Sequence, residues 1–277
     1  MSAPVFLAEP GALSSCEPGS TFVLDGDEGR HAGVVQRRGP GERIDVVDGA
    51  GVRLRCVIAS VQSSTLDLVV EDVVHEPADG VEIVLVQALA KGDRDEMAVE
   101  AATEVGVDAI LPWQAERSVV VWRGDRAAKS RARWVGVVRA ATKQARRAVM
   151  PRVGLVVDAA GLVTAVERVR AGGGTTLVLH EEATRPLAEV ELPATRAVAA
   201  SGEMRAAPDV HDGDGPDERV REVMLVVGPE GGISDRELAR LVDAGAVPVR
   251  LGPHVLRTST AGPVAAALVA QRLGRWR

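Results

Sequence analysis

The stretch MLVVGPEGGIS, Met224 to Ser234, decides the fold. Its opening apolar residues leave no alternation of faces, which is the pattern of a strand covered on both sides in a parallel sheet. The run that follows, Gly228, Pro229, Glu230, Gly231, Gly232, removes side chains where a chain must turn sharply or lie against a ligand. Ser234 and Glu237 then stand at capping-box spacing, where each side chain satisfies a free amide of a first helical turn.

Working outward, the same strand-to-helix succession recurs. Ile83 to Leu89, Ala109 to Trp113, Thr176 to His180 and Val247 to Gly252 read as further buried strands. Helices are expected over Asp93 to Gly106, Asp125 to Val149, Asp158 to Arg170, Ser234 to Ala244 and Thr260 to Leu273. Strands alternating with helices imply an α/β domain with a mostly parallel sheet over residues 80–277. Residues 1–75 differ: Val52, Leu54, Cys56, Ile58 and again Leu66, Leu68, Val70 alternate between Gly, Asp and Ser turns, as in a small antiparallel β-barrel. The polar segment from His75 to Gly80, with its Pro and Gly, marks the domain boundary.

Net charge is −6 over 277 residues, which by itself argues against a nucleic-acid partner. The distribution argues the other way. From Arg117 to Arg152 there are eleven bases and one acid, whereas residues 201–222 hold seven acids and three bases and read as an acidic flexible loop. No apolar run approaches the ~20 residues of a membrane helix. The amino terminus has no basic patch leading into a long apolar stretch, so a cytoplasmic location is expected. Cys16 and Cys56 lack His or Cys neighbours at metal-ligand spacing, so reduced thiols and no metal site are expected.

Ligands of parallel sheets settle at the carboxyl ends of strands. Two loops qualify: Gly228 to Ser234, and Leu251 to Thr260 (LGPHVLRTST), which adds the fixed cation Arg257 to its backbone donors. Either loop alone could be a tight turn whose glycines merely permit positive φ. There is no GxxxxGK[ST] and no GxGxxG at a strand-to-helix turn. Val47, Asp48, Gly49, Ala50, Gly51 precedes an alternating strand and reads as a hairpin turn.

GPEGGIS and LGPHVLRTSTA (Leu251 to Ala261) resemble the two cofactor-loop motifs of the RsmE family, the ribosomal RNA uridine-N3 methyltransferases of the SPOUT superfamily. AKGDRDE with Lys91 and Arg94, TEVGVDAILPW, Glu116 to Ser118, Gln144 and Arg147, and LHEEA from Leu179 follow in the family's order. His31, Arg37 and GPGERIDVVDG resemble the family's PUA-like amino-terminal barrel. The chain departs from the family pattern at Ser259, where Glu is frequent, and at Lys143, Gln144, Ala145, Arg146, Arg147, where a Glu-Gln pair precedes Gly-Arg.

The resemblance implies a deep trefoil knot, a homodimer, S-adenosylmethionine as cofactor, and 16S ribosomal RNA or the small ribosomal subunit as partner. Implied cofactor contacts are Leu179, His180, Gly228, Pro229, Glu230, Gly231, Leu251, Gly252, Val255 and Leu256. Arg257 is the expected catalytic residue, placed to stabilise a uridine anion; the alternative is a salt bridge tying its loop down. His31, Arg37, Arg38, Arg117, Lys143, Gln144, Arg146 and Arg147 are the expected RNA contacts, against the alternative of a solvated helix face. Arg139, Lys143, Arg146 and Arg147 share one helix face by spacing. With no Tyr and 2% aromatic residues, base stacking should not dominate recognition. A non-catalytic ribosome-assembly factor and a transfer RNA methyltransferase are the competing functional readings.

Overall fold

A computed structural model describes residues 3–76, 80–194 and 221–276. They fall into two compact units: the described residues up to Glu76 together with Thr142–Met150, and the remainder. The expected acidic loop lies outside the described residues except for Arg221 and Glu222, and so do residues 77–79 of the expected boundary.

The first unit contains β1 (Val5–Leu7), β2 (Thr21–Leu24), α1 (Gly26–Arg30) running into a π-helical turn (His31–Val35), β3 (Arg43–Val47), β4 (Val52–Gln62) and β5 (Thr65–His75). They form one five-stranded sheet in the order β1-β3-β4-β5-β2. The alternation predicts the buried face correctly: Leu54, Cys56 and Ile58 from β4 and Leu66, Leu68 and Val70 from β5 pack in one core. Val47 to Gly51 is indeed the turn of a hairpin, with Val47 opposite Arg53. One pair departs from the antiparallel expectation, since β1 runs parallel to β3. The long connection between them, holding β2 and α1, is what a parallel neighbour requires.

Thr142–Met150 belongs to this unit because of its backbone. The Met150 amide donates to Gly49 O at 2.9 Å, Gly51 donates to Ala148 O at 3.3 Å, and Ala148 is fully buried with Val5, Leu7 and Val47.

The second unit comprises β6 (Val81–Ala88), α2 (Arg94–Val105), β7 (Ala109–Trp113), α3 (Asp125–Gln144, whose last residues belong to the first unit), β8 (Arg152–Val153), α4 (Ala159–Ala171), β9 (Thr175–Leu179), β10 (Arg221–Val227), α5 (Asp235–Ala244), β11 (Val247–Val249) and α6 (Thr258–Arg272). Its six-stranded sheet, β11-β9-β10-β6-β7-β8, is parallel throughout. One face is covered by α4 and α5 through Leu162, Val166 and Leu241. On the other face α6 comes so close that a Cβ on Gly262 would lie 2.8 Å from Leu85 Cδ1.

Two expected boundaries are corrected. α3 ends at Gln144 rather than Val149: Arg147 N donates to Thr142 O (3.0 Å) and Arg146 N to Lys143 O (3.1 Å), with Arg146 at φ 56°. That bonding is a Schellman stop with Arg in the left-handed position glycine usually takes. Arg146 and Arg147 therefore do not share a helix face with Arg139 and Lys143. β11 ends at Val249 rather than Gly252, because Arg250 leaves β9 to bridge Pro186, donating to Arg185 O at 2.9 Å and accepting from the Leu187 amide at 3.0 Å, and Pro253 has no amide to donate.

Candidate active site and nucleic-acid interface

The register of the parallel sheet brings four strand ends into one row. Val227 of β10 lies opposite Gln87 of β6 and opposite Leu179 of β9, and Leu179 lies opposite Val249 of β11. The loops beginning at His180, Gly228 and Arg250 therefore leave the sheet side by side, although their residues are far apart in sequence. His180 turns at once: its amide donates to Val249 O at 3.0 Å and its carbonyl accepts from Ala183 at 3.2 Å.

The Gly228 to Ser234 loop is braced from several sides. A Cβ on Gly228 would sit 2.7 Å from Ile233 Cγ1, and Gly232 adopts φ 73°, so both positions require glycine. Glu230 Oε1 accepts from the Lys91 amide (3.0 Å) and from Arg94 Nη1 (2.8 Å). Burial alone would push its carboxyl up, but its own amide, the Lys91 amide and the Arg94 guanidinium hold it below the usual carboxylate range. Arg117 Nη1 donates to Gly231 O at 3.1 Å, and the capping box of Ser234 and Glu237 is present. Glu116 ties in as well, accepting from Ser234 Oγ at 2.7 Å and donating its amide to Glu237 Oε1 at 2.8 Å.

The Leu251 to Arg257 loop is the opposite case. Among the described residues, no group accepts a hydrogen bond from the amides of Gly252, His254, Val255, Leu256 or Arg257. Val255 is 78% exposed and Leu256 37%. Arg257 is the N-cap of α6, makes no side-chain cap bond, and its exposed guanidinium has no ion pair among the described residues. The salt-bridge alternative for Arg257 is therefore unsupported. Open amides and an uncapped helix start are donors suited to a carboxylate or to purine ring nitrogens, so this donor set fits S-adenosylmethionine.

The two loops meet at a buried node. Thr258 Oγ1 donates to Gly228 O at 2.8 Å and accepts from Gln87 Nε2 at 2.9 Å; Gln87 is fully buried. Sequence reading missed Gln87 and Thr258 as site residues. A polar residue inside the apolar run IVLVQAL was the available signal, because a buried amide needs partners.

Most of the expected RNA contacts belong to the first unit. His31, Arg37, Arg38, Lys143, Gln144, Arg146 and Arg147 all lie there, whereas Arg117 lies in the second, beyond β7, where it donates to the glycine loop. Gln144, Arg37 and Arg146 are exposed, and Arg37 shares the left-handed conformation of Arg146 (φ 54°). Arg38 is 3.6 Å from Glu42. His31 Nε2 lies 3.0 Å from Gln36 Nε2, with its ring edge-on to Phe6 at 6.1 Å. Lys143 is committed elsewhere: its ammonium is 2.7 Å from Glu28 Oε2 and 5.7 Å from the Phe6 ring centroid. Glu28 and Arg53, whose Nη2 donates to Arg146 O at 2.8 Å, are structural partners that the sequence pattern did not indicate.

Among the described residues no helix is long and apolar enough to cross a membrane, and no His, Cys, Asp and Glu cluster could hold a metal. Both cysteines are free thiols.

Comparison with known proteins agrees with this geometry. A model of the RNA methyltransferase domain matches residues 77–270. The chain is 44% identical over 260 residues to the ribosomal RNA small subunit methyltransferase E of Mycobacterium bovis, covering 94% of this chain and 90% of that one. It is similar in structure to the Neisseria gonorrhoeae ribosomal RNA small subunit methyltransferase E bound to S-adenosyl methionine (26% identity, TM-score 0.76, 98% of each chain). A Legionella pneumophila putative methyltransferase in complex with the same cofactor is equally similar in sequence (26%, TM-score 0.72, 98% of each chain). With a family model matched over most of its length and a relative at this identity, the chain belongs to the RNA methyltransferase domain family, among the ribosomal RNA small subunit methyltransferase E proteins.

Proposed function

We propose that this protein is an S-adenosylmethionine-dependent methyltransferase that methylates N3 of a uridine in 16S ribosomal RNA, acting in the cytoplasm on the small ribosomal subunit. The observation that carries the reading is the joining of the two glycine loops through Thr258 and Gly228, beyond the carboxyl ends of β10 and β11, the two parallel strands that flank β9. In this reading the second unit is a SPOUT domain with a deep trefoil knot that works as a homodimer, and the first is a PUA-like RNA-binding barrel.

The cofactor, when bound, supplies an electrophilic methyl group on a sulfonium. Gly228, Gly231 and Gly252 let backbone approach it, Pro229, Leu251, Val255 and Leu256 provide apolar contact, and Leu179 and His180 line the third loop. Glu230 acts at one remove, as the anchor of its loop. It is a poor general base, because its carboxyl is held below the usual range and already accepts two hydrogen bonds. Arg257 is the residue free to act on the base. Its guanidinium stays charged and can bond to O2 or O4, stabilising the anion left when the N3 proton passes to solvent water. Arg37, Arg38, Gln144, Arg146, Arg147 and His31 hold the RNA by its phosphates and shape. Lys143 supports that surface through Glu28, and Arg117 supports the cofactor loop.

The test is labelled methyl transfer to small ribosomal subunits with nucleoside mass spectrometry, in wild type and Arg257→Ala, alongside calorimetry with S-adenosylmethionine. Wild-type transfer to uridine N3 with cofactor bound, and loss of transfer but not of cofactor binding in Arg257→Ala, is the expected result. Absence of cofactor binding in the wild type would leave an RNA-binding assembly factor as the reading.

A further inference from the structure

We infer that Thr258 and Gln87 are positioning residues for Arg257, an inference that rests on the catalytic reading of Arg257 and deepens it. The Arg257 carbonyl accepts from the Thr260 and Ala261 amides, both at 2.9 Å, but among the described residues its guanidinium has no hydrogen bond or ion pair to set where it stands. Its neighbour Thr258 is 8% exposed and carries, among the described residues, the one side-chain link between the α6 start and the Gly228 loop. Thr258 also receives Gln87 Nε2, which donates in addition to Ala88 O at 3.1 Å. The Gln87 amide nitrogen thus spends its hydrogens on fixed partners, which obliges the Thr258 hydroxyl to present its lone pair to Gln87 and its proton to Gly228.

The chain of bonds runs one way, from Gln87 Nε2 to Thr258 Oγ1 to Gly228 O. It spans the end of β6, the start of α6 and the end of β10. A hydroxyl held from both sides fixes the first turn of α6 against the cofactor loop, and with it the backbone from which Arg257 projects. Among the described residues Gln87 Oε1 is buried without a partner, so the amide stands here at a desolvation cost that packing alone does not explain.

Positioning and plain structural support predict different kinetics. Thr258→Val keeps the shape and removes the hydroxyl; Thr258→Ser keeps the hydroxyl. The single-turnover rate constant for methyl transfer should fall at least about tenfold in Thr258→Val and stay within about threefold of wild type in Thr258→Ser, a rescue a packing role would not produce. In the Arg257→Ala background, Thr258→Val should cost almost nothing further, because the group it positions is gone. Multiplicative losses in the double variant, or equal losses in Val and Ser, would overturn the inference. Near-normal turnover in Arg257→Ala alone would remove the catalytic reading of Arg257, and this inference with it, and is seen in a separate arm. Should Thr258→Val fail to fold, Gln87→Met removes the donor at similar volume and is read by the same cycle.

Discussion

Arg94 and Glu230 form an ion pair of 2.8 Å that ties the start of α2 to the tip of the glycine loop 136 positions later in the chain. The pair is partly exposed, so its value lies in fixing a loop rather than in bulk stability. It makes Glu230, which the resemblance implies as a cofactor contact, an anchor of its own loop.

Replacing Glu230 by Gln should therefore weaken S-adenosylmethionine binding by about three- to tenfold, the loss of one charge-assisted hydrogen bond, measured by calorimetry. The pH dependence has a definite sign. A carboxyl whose folded pKa is depressed contributes stability that is present above the unfolded pKa and is lost as pH falls through the folded one. The melting temperature of wild type should thus fall more than that of Glu230→Gln between about pH 5 and about pH 2. Parallel curves across that range would remove the anchor.

Arg146 occupies the left-handed position of a Schellman stop, φ 56°. Glycine relieves that strain, while the Arg53 bond to its carbonyl is unaffected by the side chain. Arg146→Gly should raise stability by about 0.5 to 1 kcal/mol in denaturant titration and lower RNA affinity at the same time. Stability and binding moving together would count against an RNA role for this side chain.

The Lys143 and Glu28 side chains are only 21% and 12% exposed, so removing either leaves a charge in a place poor in water. Lys143→Ala should cost about 2 kcal/mol, with part of it recovered in the Lys143→Ala, Glu28→Ala double variant. Strict additivity of the two single losses in urea unfolding would show that the pair is not coupled.

Cys56 is buried in the first unit's core, and burial first, then the negative charge of Asp45, pushes its thiol up to about 12. Cys16 is also raised by burial, though it is partly exposed. A thiol reagent under native conditions should label Cys16 slowly and Cys56 only on unfolding, as read by peptide mass spectrometry. Labelling of Cys56 in folded protein would contradict its placement.

Much of the architecture is legible in local pattern. Alternation across β4 and β5, uninterrupted apolar runs in β6 and β10, and the Ser234 capping box each depend on near neighbours in sequence, so periodicity finds them. The glycine loops are legible for the same reason, since backbone freedom is a property of the residue itself. What sequence could not decide is which distant groups meet. The parallel pairing of β1 with β3 and the return of Thr142–Met150 to the first unit follow from long-range backbone bonds, and the end of α3 is hidden because Arg146 takes the left-handed place where glycine is the usual signal. Likewise only the fold assigns Lys143 to Glu28, Arg117 to Gly231, and Gln87 to Thr258. Charge and hydrogen-bonding capacity are written in the residue type, but a partner is chosen by proximity, and proximity belongs to the folded chain.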